Sequence, residues 1–266
     1  MERIPAVSKL FATFTGNLFL VLGSLLIGSL AILGSWVPPR GAWVFAMARL
    51  WSILLLRAGL VRVEVRHPSH QDNLGIDPAA SYIFLANHQS LFDIPALLST
   101  VPAQVRMMAK RSLFRIPVFG WALAAGGFIP IDRGDRSTAR QSFASAIAHI
   151  RSGTSILLFP EGTRSTVDIL LPFERGGFLL ALKSGLPIVP VGIRGTRAIQ
   201  RRGVWTIQPG TVVVTYGSPI DSAAYGVRRK RELIAEVRRR VAELAGLALP
   251  AEEDREGPVV RSEHGD

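Results

Sequence analysis

Asn87-His88-Gln89-Ser90-Leu91-Phe92-Asp93 places a histidine five residues before an aspartate, directly after the apolar run Tyr82-Ile83-Phe84-Leu85-Ala86. A histidine oriented by a nearby carboxylate is equipped to take a proton from a hydroxyl. The apolar run reads as a buried strand, and open α/β sheets place their chemistry at the carboxyl ends of such strands. A structural reading stands beside the catalytic one. Ser90-Leu91-Phe92-Asp93 has the S-x-x-D spacing of a capping box at a helix start, which would give Asp93 a backbone to serve. By itself the segment supports both.

Three further clusters sit at the ends of strand-like runs. Gly126-Gly127-Phe128-Ile129-Pro130-Ile131-Asp132-Arg133 ends in an arginine. Phe159-Pro160-Glu161-Gly162-Thr163-Arg164-Ser165 carries a carboxylate, a glycine and an arginine. Ile188-Val189-Pro190-Val191-Gly192-Ile193-Arg194-Gly195-Thr196 is apolar and glycine-bearing. Each has a plain explanation alone: Arg133 as a surface charge, Glu161 as a turn residue, Pro190 as the mark of an edge strand or bulge. Four such endings on one edge of a single sheet are seldom a coincidence.

The elements that must position these clusters follow from periodicity. Strands are expected at Val61–Val65, Tyr82–Ala86, Val105–Ala109, Phe128–Ile131, Ser155–Phe159, Ile188–Ile193 and Thr211–Tyr216. Helices are expected at Leu91–Ser99, Pro117–Ala125, Ser137–Ser152, Gly177–Ser184 and Arg229–Leu247. The helix from Ser137 has an apolar side of Phe143, Ile147 and Ile150, and Gly153 is suited to end it. This alternation predicts an α/β fold with a mixed, largely parallel sheet flanked by helices.

No charged residue occurs from Leu10 to Pro39, and Leu10–Val37 is almost wholly apolar. As a helix it would be about 42 Å long, more than the ~30 Å of a bilayer core. It exceeds the ~7–15 residues of a signal-peptide apolar region. Pro38-Pro39 should stop it, and a second helix should run from Gly41 to Leu60, interrupted by Arg49 and Arg57. Charges there are costly in hydrocarbon, so this helix is expected at the interface with its arginines toward lipid phosphates. The excess of basic residues on the carboxyl side of Leu10–Val37 places the bulk of the chain on the cytoplasmic face of the membrane. Whether the first segment spans or re-enters is left open.

The 266 residues carry a formal charge of +11, which favours an anionic partner. The positive mean hydropathy and the scarcity of aromatics in the basic stretches speak against nucleic acid and for a membrane surface. There is no cysteine, so disulfides, thiolate catalysis and cysteine-held metals are excluded. The organisation expected is two membrane-anchoring helices over 1–60, an α/β domain over 61–225, a basic amphipathic helix over 226–250 and a disordered acidic tail over 251–266. In the third segment, Arg228–Arg231 and Arg238–Arg240 lie opposite Leu233, Ile234, Val237, Val241 and Leu244. That basic face reads as either solvated or in contact with the membrane.

The four polar clusters resemble, in order, the sequence blocks of the glycerolipid acyltransferases, most closely those that acylate 1-acylglycerol-3-phosphate. Asn87–Asp93 resembles the N-H-x4-D block and Gly127–Arg133 the block ending in arginine. Phe159–Ser165 resembles F-P-E-G-T-R-S, and Ile188–Val191 the apolar I-V-P-V block. The chain departs at Phe173-Glu174-Arg175-Gly176, where the family places two basic residues before the glycine. The resemblance implies transfer from acyl-CoA or acyl carrier protein to the sn-2 hydroxyl of lysophosphatidic acid, giving phosphatidic acid, with no metal and no cofactor beyond the donor. It implies His88 as general base and Asp93 as its orienting partner, as in the serine-protease arrangement with a substrate hydroxyl replacing the enzyme's serine. Arg133, Glu161, Gly162, Thr163 and Arg164 become the acceptor-binding set, with the arginines on phosphate. Glu161 is expected to orient an arginine or accept from a glycerol hydroxyl. Backbone N–H groups near Gly162, or the ammonium of Lys110, are candidate donors to the oxyanion. An acceptor other than lysophosphatidate, such as lyso-ornithine lipid or another lysophospholipid, is the alternative within the same fold. A basic membrane scaffold or nucleic-acid binder would account for the charge but not for the clustered histidine, carboxylates and arginines.

Overall fold

The computed structural model describes residues 5–36, 40–67, 75–77, 79–131 and 136–250. Arg3, Pro38-Pro39, Asp132-Arg133 and the tail expected over 251–266 lie outside these described residues. The chain begins with two helices, α1 (Ala6–Gly34) and α2 (Arg40–Ala58). They lie antiparallel, as successive ties show. Trp43 Nε1 donates to the Leu30 carbonyl, Trp51 Nε1 to Ser24 Oγ, and Thr15 Oγ1 to the Ala58 carbonyl. On α1 the inner stripe is Ala12, Gly16, Gly23, Ile27 and Ala31. Small residues at helical spacing allow close approach, and a Cβ on Gly16 would come within 2.5 Å of Ile207 Cδ1. The outer stripe, Leu10, Phe14, Leu18, Val21, Leu25 and others, is exposed. Both helices are long and apolar enough to cross a bilayer by length and composition.

The rest of the chain alternates β1 (Val61–Arg66), β2 (Ile83–Ala86), α3 (Asp93–Thr100), β3 (Val105–Lys110), α4 (Phe119–Ala125), β4 (Ile129–Ile131), α5 (Arg136–Arg151) and β5 (Ser155–Leu158). It continues through α6 (Gly176–Ser184), β6 (Ile188–Arg194), α7 (Thr196–Ile199), β7 (Gly210–Tyr216) and α8 (Lys230–Ala245). All seven expected strands form one sheet in the order β1-β7-β6-β2-β5-β3-β4. Strands β2 to β6 are mutually parallel, β7 runs antiparallel to β6, and β1 pairs parallel with β7. The reversal has a local cause. The β6–β7 connection contains only the four-residue α7, whereas parallel neighbours need a full crossover.

Strand β2 lies at the centre and is buried on both sides. Phe84 and Ala86 join a core with Ala12, Phe45, Leu56, Phe92 and Leu97, so α1, α2 and α3 cover that face. Ile83 and Leu85 join Phe178, Leu180, Leu233, Val237 and Val241, so α6 and α8 cover the other. Helices on both faces explain why β2 reads as a continuous apolar run rather than an alternating one. Helix α5 also behaves as expected: Phe143, Ile147 and Ile150 pack against this second core, and Gly153 follows at φ +79°.

One expectation about charge is corrected. Arg49 turns inward, with Nη2 2.7 Å from the Val101 carbonyl and Nε 3.3 Å from that of Ser99. It satisfies the carboxyl end of α3, where helix carbonyls lack intrahelical partners, and does not face lipid phosphates. Arg57 is exposed. The basic run on α8, read as either solvated or in contact with the membrane, lies on a helix that packs on the sheet face opposite α1 and α2. Arg239 and Arg240 pair with Glu236, and Arg238 donates to the Leu170 carbonyl. Sequence spacing showed the arginines on one face but not the glutamates and carbonyls that engage them.

Candidate active site

Because β2, β4, β5 and β6 are parallel, the residues following them emerge at one edge of the sheet. The loop after β2 is held there from several sides. Asn87, fully buried, donates from Nδ2 to the Ile193 carbonyl at 2.9 Å, and its Oδ1 accepts from Ile193 N–H at 2.7 Å. It thus continues the β2–β6 ladder by one side-chain rung. Ser165 N–H donates to the His88 carbonyl at 2.7 Å, Gln89 Nε2 to the Val167 carbonyl, and Ser90 Oγ to the Gln200 carbonyl. The loop that carries His88 is therefore tied to three neighbouring segments.

His88 Nδ1 lies 2.7 Å from Asp93 Oδ2. The same oxygen accepts from the N–H groups of Gln89 at 2.7 Å and Ser90 at 2.8 Å. Asp93 is fully buried at the first turn of α3, and its Oδ1 has no hydrogen-bond partner among the described residues. The structural reading of this segment is realised, and the histidine–carboxylate contact that the other reading requires is in place. Asp93 reaches back to the helix-start amides as a capping-box acid does, while Ser90 Oγ accepts from Phe92 N–H. Nδ1 donating to a carboxylate leaves Nε2 as the lone-pair nitrogen, available to accept a proton. The imidazole stacks on Phe159, with centroids 4.0 Å apart and planes 15° from parallel. Its side chain keeps 13 % exposure, enough to be reached from one side.

Glu161 differs from expectation. Its Oε1 accepts from the His88 N–H at 2.6 Å and its Oε2 from the Leu171 N–H at 3.0 Å. Both oxygens serve backbone, and no arginine hydrogen-bonds to either among the described residues. It braces the loop that carries His88. Burial raises its pKa to about 7, helped by the nearby Asp93 carboxylate and opposed by the two amides and Arg238.

Gly162 turns at φ +70°, and a Cβ there would collide with the Glu174 carboxylate. Its own N–H is used in the turn, donating to the Phe159 carbonyl at 3.1 Å. The amides of Thr163 and Arg164 make no hydrogen bond among the described residues, so they replace that of Gly162 as the free donors of this turn. Arg164 is half-buried. Burial and the Arg202 guanidinium hold its pKa below the usual arginine value, and the Asp93 carboxylate offsets part of this. Arg202 itself reaches Thr163 Oγ1 at 3.4 Å. Two guanidinium groups thus sit close together beside the histidine–aspartate pair.

The structure brings His88, Asp93, Glu161, Gly162, Thr163 and Arg164 to one place. Arg133 lies outside the described residues. Lys110 ends β3, with β5 between it and β2, and it is exposed. The sequence reading did not single out Asn87 as a clamp or Arg202 as a second arginine. Adjacency to His88 was a signal for Asn87. Arg202 belongs to no motif, and only the path of the chain after α7 brings it to Thr163.

A family model described as Acyltransferase matches residues 62–194. The chain is 35% identical over 179 residues to the 1-acyl-sn-glycerol-3-phosphate acyltransferase of Salmonella typhimurium, covering 67% of this chain and 70% of that protein. The Escherichia coli protein of the same description is also 35% identical over 179 residues, with the same coverage. The chloroplastic protein of that description from Arabidopsis thaliana is 33% identical over 212 residues, covering 77% of this chain and 55% of its own length. Among solved structures, the crystal structure of the 1-acyl-sn-glycerophosphate acyltransferase PlsC from Thermotoga maritima superposes with a TM-score of 0.74 at 27% identity. That match covers 90% of this chain and 96% of the other.

Proposed function

The chain belongs to the acyltransferase family, and we propose that it moves an acyl group from a thioester, acyl-CoA or acyl carrier protein, to the sn-2 hydroxyl of 1-acylglycerol-3-phosphate. The product is phosphatidic acid. The observation that carries this reading is the His88–Asp93 pair, 2.7 Å apart, on the same sheet edge as the Thr163–Arg164 turn. It rests also on the names of the relatives.

In this mechanism the acceptor hydroxyl lies against His88 Nε2. As its oxygen attacks the thioester carbonyl, the proton passes to Nε2 and the Asp93 carboxylate stabilises the imidazolium. The tetrahedral oxyanion takes hydrogen bonds from the Thr163 and Arg164 amides. Collapse breaks the carbon–sulfur bond, and the proton on Nε2 passes to the departing thiolate. One oxygen–carbon bond forms and one carbon–sulfur bond breaks, with no acyl-enzyme and no cofactor beyond the donor. Arg164 and Arg202, together with Arg133, hold the acceptor's phosphate through forked hydrogen bonds. Glu161 acts as a positioning residue through the His88 backbone.

The acceptor reaches this site from a membrane. The outer stripe of α1 and the exposed Trp36, Trp121 and Trp205 lie against lipid, while the inner stripe holds the domain. Packing along the length of α1 favours a helix lying in the interface over one that crosses it, and the basic excess after α1 puts the domain on the cytoplasmic side.

The test of the acceptor is phosphate dependence. The purified chain in detergent should acylate 1-acylglycerol-3-phosphate and lose at least about 100-fold in kcat/KM on the same lipid without its phosphate, since several charge-assisted hydrogen bonds are removed. Equal rates on both would exclude lysophosphatidate as the recognised acceptor.

A further inference from the structure

Arg106, the second residue of β3, is 4 % exposed, yet no carboxylate pairs with it among the described residues. Its Nη1 donates to the Val105 carbonyl at 3.0 Å, and its Nε has no partner. An uncompensated buried guanidinium is costly, and its cost falls when an anion sits beside it. The side chain lines a cleft of about 350 Å³ together with Gln104, His149, Ser152 and Thr154. The first turn of α2, Gly41 and Ala42, lines it too, against the guanidinium, and helix amides there lack intrahelical acceptors. Two glycines make room for the guanidinium and imidazole themselves. A Cβ on Gly41 would strike Arg106 Nη2, and one on Gly127 would come within 2.7 Å of His149 Cε1 and 3.2 Å of Arg106 Nε. Burial and the Arg106 charge hold His149 below its usual pKa, so the cleft disfavours any added positive charge.

We propose that this cleft is a second binding site, for a phosphate group, held by Arg106, His149 and the first-turn amides of α2. A planar guanidinium, an imidazole and helix-start amides suit a phosphate, and no acidic residue among those described lines the cleft to repel it. The site is separate from the active edge. Arg106 is in register with Ile156 and Ile156 with Ile83, five positions before His88, which at ~3.3 Å per residue is about 16 Å away. Trp43, on the same turn of α2 as Gly41 and Ala42, is 42 % exposed, which places the cleft beside the membrane-facing hairpin. The phosphate therefore comes either from solution or from a phospholipid head group.

The test uses the full chain in two settings: neutral detergent with inorganic phosphate, and vesicles of phosphatidylcholine with or without phosphatidylglycerol. The reading is the thermal midpoint at matched ionic strength. Near a hundred times Kd, wild type should rise by roughly 5–10 °C. A response to inorganic phosphate supports the site and identifies free phosphate. A response to phosphatidylglycerol vesicles alone supports the site and identifies the head group. In either case Arg106→Met should abolish the response, whereas Arg164→Ala should keep it, since phosphate held at the active edge would depend on Arg164. Gln104→Glu supplies an internal carboxylate at nearly unchanged shape. It should raise the starting midpoint and remove the response, which keeps the proposal testable even if Arg106→Met fails to fold. No shift with either probe, or a shift that survives Gln104→Glu, would overturn it.

Discussion

His88 meets Asp93 across five positions because the loop between them bends back to begin α3, and that bend is made by Asp93 itself. One carboxylate oxygen takes two backbone amides and the imidazole together. Asp93→Asn should therefore lower kcat by about 10³-fold or more with little change in acceptor KM, because the imidazole loses the partner that selects its tautomer. A loss under tenfold would separate Asp93 from the chemistry. Glu161 makes a prediction of the opposite kind. Its carboxyl is raised from 4.5 to about 7 in the folded protein, so the folded state holds this proton more tightly than the unfolded chain. The stability it contributes is complete below pH ~4.5 and is lost as pH rises through ~7, amounting to on the order of 3 kcal/mol. Thermal midpoints of wild type should fall relative to Glu161→Gln across that window. Parallel pH profiles for the two would show that Glu161 does not titrate this way.

At the scale of elements, the two amino-terminal helices divide their labour by face. The inner face of α1 is fixed at its start by polar ties: Thr13 Oγ1 to the Ile207 carbonyl at 3.1 Å, and Asn17 Nδ2 to that of Trp205 at 3.0 Å. The outer leucines touch no protein core. Replacing Leu18, Leu22 and Leu25 with Ser should preserve helicity and unfolding while lowering vesicle partitioning by at least about 100-fold, given ~1.5–3 kcal/mol per fully buried leucine. Unchanged sedimentation with vesicles would mean that α1 is not the docking surface. The strands were legible because periodicity and length agree, as in the doubly buried run Ile83–Ala86. The antiparallel turn of β7 was not, since strand direction depends on the crossover and α7 is a single turn. Arg49 was misread for a related reason: a charge in an apolar helix signals lipid contact only when no carbonyl is nearer, and Ser99 and Val101 supply two.

For the whole molecule, the sheet brings distant segments to one edge, and this was the legible part of the site. Strand-end clusters predicted that residues 88, 93, 161 and 164 would converge. What stayed hidden were contacts set by tertiary path: Arg202 reaching Thr163, Glu161 bracing the His88 amide, and the Arg106 cleft at the opposite edge. None has a spacing rule, because each joins residues that only the folded sheet makes neighbours. The central claim is that His88 is the base for acyl transfer to lysophosphatidate. Its most direct test is the rate of phosphatidate formation from acyl-CoA or acyl carrier protein by the purified full chain, wild type against His88→Ala. The account predicts that the folded variant, with an unchanged thermal midpoint, loses about 10²–10⁴-fold in kcat. Near wild-type turnover by His88→Ala would contradict it.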